Sequence, residues 1–102
     1  MKTVVVRYTT HGDNAAENEA LIHAVFDELR ARAPEGLHYT ANKLADGVNF
    51  VHVSTVDTAD GSNRLLTLES FKRFQQGIGG RCVEPPVAAD LILVDGYGFS
   101  GA

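Results

Sequence analysis

Two hydrophobic rhythms alternate along this chain. Residues 3–10, TVVVRYTT, are β-branched and aromatic and too short for a helix, so they predict a first strand. Beyond the break at His11-Gly12-Asp13, apolar residues recur three and four apart at Leu21, Ile22, Val25, Phe26, Leu29 and Ala33, the single stripe of an amphipathic helix. Asn14 with Glu17 three residues later predicts the helix start, and Pro34-Glu35-Gly36 predicts its stop. The polar face is expected to carry Glu17, Asn18, Asp27, Arg30 and Arg32. Runs 37–45 and 48–56 read as strands around Asp46-Gly47, a pair suited to a two-residue hairpin turn. Residues 57–64 form a polar loop. LTLESFKRFQQGI (66–78) predicts a shorter helix capped by Thr67, with Phe71, Phe74 and Ile78 inward and Gly77, Gly79 and Gly80 ending it. Residues 88–99 predict the last strand, after an extended stretch whose Pro85-Pro86 cannot lie inside a sheet.

The order β-α-β-β-α-β predicts an α+β, ferredoxin-like fold: a four-stranded antiparallel sheet with two helices on one face, in a single domain over residues 1–102. Such strands should alternate apolar and polar. The first and last do not: Val4-Val5-Val6 and Leu91-Ile92-Leu93-Val94 are continuous. Their second face needs cover that two helices cannot give, and a second copy of the chain is the expected solution. The partner is therefore itself, as a homodimer through the open sheet face.

Composition narrows the function classes. The net charge is −4 and the basic residues are scattered, which argues against a nucleic-acid partner. No apolar run reaches the ~20 residues of a membrane span, so no membrane is expected. Cys82 is the single cysteine, leaving no internal disulfide and suggesting a reducing, cytoplasmic location.

The hairpin also locates the candidate chemistry. Pairing outward from Asp46-Gly47 sets Lys43 opposite Phe50, Ala41 opposite His52, and Tyr39 opposite Ser54, all on one face. His38 points to the other face, so His38 and His52 cannot share a metal. The four histidines show no metal-binding spacing, and no metal is expected. Small Ala41 leaves room beside His52, with Tyr39, Phe50 and Ser54 around it. An apolar pocket with a few polar groups is a ligand-site pattern. There His52 could act as a base toward a phenol or enol, or simply fill the core while bonded to Tyr39 or Ser54. His11, just past the first strand, could line the pocket mouth, and Phe71 and Phe74 its helical wall. Arg7, between valines, is either a rim charge or an anion clamp. Cys82 reads as a small buried hydrophobe unless Arg81 activates it.

The element order, the two-sided strands, FVHVST (50–55) and FKRFQQGIGGRCVEPPVAADL (71–91) resemble the dimeric α+β barrel superfamily, and within it small proteins of the antibiotic biosynthesis monooxygenase type. The resemblance implies a small-molecule-binding dimer and, as activity, cofactor-independent oxygenation of an aromatic or enolisable substrate. On the hairpin register, rather than on any shared catalytic motif, His52 and Tyr39 would be the catalytic residues. Phe50, Ser54, Ala41, His11, Phe71 and Phe74 would line the ligand. The superfamily also includes haem-degrading enzymes and proteins of unassigned activity. A non-catalytic binding or assembly role is therefore the alternative, and so is haem binding with His52 or His11 as axial ligand. The chain has no tryptophan, unlike the aromatic oxygenases of that group.

Overall fold

The computed structural model describes residues 1–98. Its elements run β1 (Lys2–Thr9), α1 (Ala15–Arg32), β2 (Leu37–Lys43), β3 (Asn49–Val56), α2 (Glu69–Gln76), α3 (Ile78–Arg81) and β4 (Val87–Leu91). The strands form one antiparallel sheet in the order β2-β3-β1-β4, so the ferredoxin-like arrangement stands.

The hairpin register is the expected one. Lys43 pairs with Phe50, Ala41 with His52, Tyr39 with Ser54, and His38 with Thr55. The turn differs. Leu44 N–H donates to the Asn49 carbonyl at 2.9 Å, and Gly47 N–H to the Leu44 carbonyl at 3.0 Å. The connection is thus a four-residue loop rather than a two-residue one. Only Gly47 takes a positive φ, +79°. The Asp46 carboxylate accepts the N–H groups of Val48 and Asn49, each at 3.0 Å. Those bonds hold its own carboxyl below the usual range and stabilise the wider loop.

α1 runs from Ala15 to Arg32 and stops where expected. Ala33 adopts the left-handed conformation and its N–H donates to the Leu29 carbonyl at 2.7 Å. Asn14 does not cap the helix with its side chain, which instead donates to Glu17 Oε1 at 3.2 Å. α2 likewise lacks a cap from Thr67, whose hydroxyl donates to the Arg64 carbonyl at 2.7 Å. Glu28 of α1 supplies the missing acceptor: its Oε1 takes the Ser70 N–H at 3.0 Å and the Ser70 hydroxyl at 2.6 Å. The two helices are thereby fastened through the amino end of α2, and these bonds hold the Glu28 carboxyl below its usual range. The glycines after α2 do not end helical structure, since Ile78–Arg81 forms one more turn.

The last strand is shorter than the sequence pattern suggests, covering Val87–Leu91, and of its expected extent Phe99 lies outside the described residues. Ile92, Leu93, Val94 and Tyr97 follow with large exposed apolar surfaces. Register places Ala89, Val5, Val53 and Thr40 in one row across the helix-free face, and Leu91, Thr3, Thr55 and His38 in the next. The core lies on the other side. Tyr8 and Phe50 from the sheet meet Ile22 and Val25 of α1 and Phe71 and Phe74 of α2. No helix among the described residues is long and apolar enough to cross a membrane.

Candidate functional site

The helix-covered face of the sheet carries a chain of buried polar side chains. Period two along β1 puts Val4, Val6 and Tyr8 on this face, and period two along β3 adds Phe50 and His52. Val6 pairs with His52 and Tyr8 with Phe50. The Tyr8 hydroxyl lies 2.7 Å from His52 Nε2, and the Tyr39 hydroxyl 2.6 Å from His52 Nδ1. The imidazole is 5 % exposed and bridges two tyrosines.

Two residues extend the chain. Asn18 Nδ2 donates to the Tyr8 hydroxyl at 2.9 Å. Arg81 Nε donates to Asn18 Oδ1 at 3.0 Å, and its Nη2 to the Phe74 carbonyl at 2.8 Å. The guanidinium also sits 5.0 Å over the Phe74 ring, a favourable placement for a cation. Arg81 is buried, and no carboxylate among the described residues lies within ion-pair distance of it. Carbonyl oxygens and an aromatic face satisfy it in place of a counter-ion.

Asn18 corrects the sequence reading, which placed it on the polar face of α1. It has no exposed surface. The signal was available: Asn18, Ile22, Val25 and Leu29 are spaced four, three and four, so Asn18 continues the buried stripe by one turn. Tyr8 was equally open to period-two reasoning. The partnership of Arg81 with Asn18 joins positions 63 apart in sequence and leaves no local trace.

Burial governs the electrostatics. It pulls the His52 imidazole down to about 4, so the ring is neutral near pH 7. Burial also pushes the Tyr8 hydroxyl up to about 12, against the opposing hydrogen bond from Asn18, and raises Tyr39. Cys82, buried at a bridge between Thr10 and its own backbone, has its thiol raised by burial, with Arg81 opposing. It is a packed thiol rather than an activated one.

The remaining residues singled out from the sequence fall as follows. Ala41 and Ser54 share the face of His52. The space beside Ala41 is a packed aromatic environment: the Tyr8, Phe74 and Tyr39 rings lie 5.2, 5.5 and 5.8 Å from the imidazole. Phe71 stacks on Phe74 at 6.3 Å, one layer further out. His11 has an exposed side chain, and its backbone N–H donates to the Arg81 carbonyl at 2.9 Å. Because both His52 nitrogens face tyrosine hydroxyls, the residue offers no free lone pair to a haem iron. His11 lines neither the cleft walled by Arg7 and Val87 nor the cleft walled by Phe26 and Tyr39, so the side chains do not fit that group.

Those two clefts open at the surface. One of about 530 Å3 lies over the helix-free face, with Arg7, Thr9, Asn49, Val51, Glu84 and Val87 in its wall. The other, of about 230 Å3, lies between the carboxyl half of α1 and the start of β2, walled by Phe26, Leu29, Arg30, Leu37 and Tyr39. Tyr39 thus belongs both to the buried chain and to a cleft. Its ring stacks on Phe26 at 5.1 Å and 7°.

Comparison with known proteins agrees with this architecture. No family model matches the sequence, and no curated protein does. Solved structures do match. An antibiotic biosynthesis monooxygenase superposes with TM-score 0.75 at 14 % identity, over 93 % of this chain and 100 % of the other. A candidate antibiotic biosynthesis monooxygenase from Nitrosomonas europaea gives 0.76 at 12 %, over 93 % and 100 %. SnoaB, a cofactor-independent oxygenase from Streptomyces nogalater, gives 0.69 at 20 %, over 96 % and 97 %. The chain therefore shares the fold of the antibiotic biosynthesis monooxygenase structures, an α+β arrangement of helices against one four-stranded antiparallel sheet.

Proposed function

We propose that the protein binds a small, largely apolar molecule and oxygenates an enolisable aromatic substrate without a cofactor. The observation that carries this reading is the buried Arg81–Asn18–Tyr8–His52–Tyr39 chain, which ends at a residue walling an aromatic cleft. The fold of SnoaB, a cofactor-independent oxygenase, supports it. Tyr39 touches the ligand. His52, bonded through both nitrogens, is a positioning residue that fixes the Tyr39 hydroxyl. In the reaction the substrate loses a proton to water at the open cleft and becomes an enolate. Its carbon adds dioxygen, the O–O bond breaks, one oxygen leaves as water, and a methylene has become a carbonyl. The electrons come from the substrate, so no further reductant is consumed.

The test is oxygen uptake with an enolisable aryl ketone that carries one aromatic ring and a methylene beside its carbonyl. Uptake above the spontaneous rate, with stoichiometric ketone product, is expected of the wild type. Tyr39→Phe should lower it by roughly tenfold, the scale of one hydrogen bond to a charged group. Binding without uptake would leave a non-catalytic binding protein, the reading that a fully bonded His52 also suits.

The working unit is a homodimer packed across the helix-free face. Half-buried Val5 and Val53 at the centre of that face, with exposed Ile92, Leu93, Val94 and Tyr97 beyond β4, support it, because a second copy would take these apolar side chains out of water. Sedimentation at micromolar concentration should give twice the 11.0 kDa chain mass. Val53→Glu, pointing away from the helices, should shift it to the single-chain mass with near-UV circular dichroism kept. A wild-type monomer would sink the dimer.

A further inference from the structure

The hydrogen bonds of the buried chain have a direction. A guanidinium has donors and no acceptor, so Arg81 Nε–H must give to Asn18, and the oxygen of the Asn18 amide must face it. The amide nitrogen then faces Tyr8, whose oxygen accepts. Tyr8 has one proton left, and His52 Nε2 is the acceptor beside it. A neutral imidazole carries one N–H, which is thereby placed on Nδ1 and donates to the Tyr39 oxygen. The opposite arrangement, with Tyr39 donating to Nδ1 and Nε2–H to Tyr8, would leave the Tyr8 proton buried with no acceptor, a costly defect. The chain therefore runs one way, from a buried cation to the Tyr39 hydroxyl. The Tyr39 proton, at the end of the chain, has no acceptor among the described residues.

We infer that the cleft beside Tyr39 binds a small aromatic molecule as its oxyanion, with the Tyr39 hydroxyl donating to that oxygen. The inference rests on the small-molecule reading above and specifies the charge state of the ligand. Each bond in the chain polarises the next toward donation, with the Arg81 charge at its head. Arg30 gives the cleft wall a second cation, placed 5.8 Å over the Phe26 ring and in a 3.7 Å contact to Asp27, with the Arg30 and Asp27 side chains largely exposed. Arg30 and Arg32 also offset the carbonyl end of α1, which by itself would repel an anion. Phe26, Leu29 and Leu37 supply the apolar wall. Cavities of about 150 Å3 suffice for benzene, so 230 Å3 admits one substituted ring.

The probes are 4-nitrophenol, whose ionisation is visible by absorbance, and 4-nitrotoluene, of similar shape with no ionisable oxygen. The wild-type protein should bind the phenolate roughly tenfold more tightly than 4-nitrotoluene, and the pKa of the bound phenol should fall. Tyr39→Phe should lose that preference, lift the bound pKa back, and keep the wild-type affinity for 4-nitrotoluene. A bound pKa that rises would mean that the site accepts a proton and would overturn the inference while leaving small-molecule binding intact. Failure of 4-nitrophenol to bind at millimolar concentration, or equal affinity for the two probes, would overturn it too. The wild-type titration decides the matter even if Tyr39→Phe does not fold. Oxygen uptake plays no part in it, so the oxygenase reading can fail separately.

Discussion

Replacing Arg81 by alanine is expected to remove about 3 kcal/mol of folding stability, a large share of what a domain of this size has. The arginine is 4 % exposed. Its loss leaves Asn18 Oδ1 and the Phe74 carbonyl buried without donors and forfeits the stacking on Phe74. Each orphaned acceptor costs about 1–3 kcal/mol, and the vacated volume adds a cavity term. Arg81→Met restores much of the volume and not the donors, so it should recover only part of the loss. Urea unfolding at fixed protein concentration measures both. A double-mutant cycle separates the polar defect from the packing defect. Arg81→Met with Asn18→Leu removes a donor and its acceptor together, so the pair should cost less than the sum of the singles by about 1 kcal/mol or more. Strict additivity would show that the two side chains do not act as a unit.

How far the chain was readable from sequence follows from the range of each signal. Strand periodicity and the Asp46-Gly47 punctuation act over a few residues, and they gave the correct partners for Tyr39, Ala41 and Lys43. The same pair misled on the loop itself. An aspartate that accepts two backbone N–H groups stabilises a longer turn as readily as a short one. β4 was overextended because continuous apolar residues look alike whether they pair within the chain or project from it. Residues 92–94 are apolar yet exposed. The site was half legible. His52 and Tyr39 emerged from the hairpin alone, since their contact is local to it. Tyr8 lay on another strand, Asn18 was hidden by its polarity on a stripe it belongs to, and Arg81 reaches Asn18 across most of the chain. A buried polar network is specified by tertiary geometry, and residue type alone predicts the surface for asparagine and arginine.

His52 should make the protein acid-sensitive between neutral pH and about pH 5. Its folded pKa is depressed to about 4 by burial, from 6.5 when free. Below 6.5 the unfolded chain takes up a proton that the native state refuses. The stability contributed by neutral His52 is therefore complete above 6.5 and is lost as the pH falls toward 4. The gap amounts to about 3 kcal/mol in all, of which about 2 kcal/mol should disappear between roughly pH 7 and pH 5. The carboxyls held below their usual range, Glu19, Glu28, Asp46 and Asp60, give up their protons below that window. Tyr8, Tyr39 and Cys82 are raised and ionise far above it. His52→Gln keeps a donor and an acceptor between the two tyrosines and carries no titratable proton. Its stability at neutral pH should be lower than wild type, while its loss from pH 7 to 5 should be smaller by about 2 kcal/mol. His11, His23 and His38 are present in both proteins and cancel in the comparison. Parallel stability curves for the two proteins would mean that His52 takes up its proton as freely in the fold as out of it. The Tyr8–His52–Tyr39 bridge would then be too open to water to hold a neutral ring. A converging pair, with the wild type losing its advantage on acidification, is the signature of an imidazole kept uncharged between two hydroxyls so that its one proton points to Tyr39.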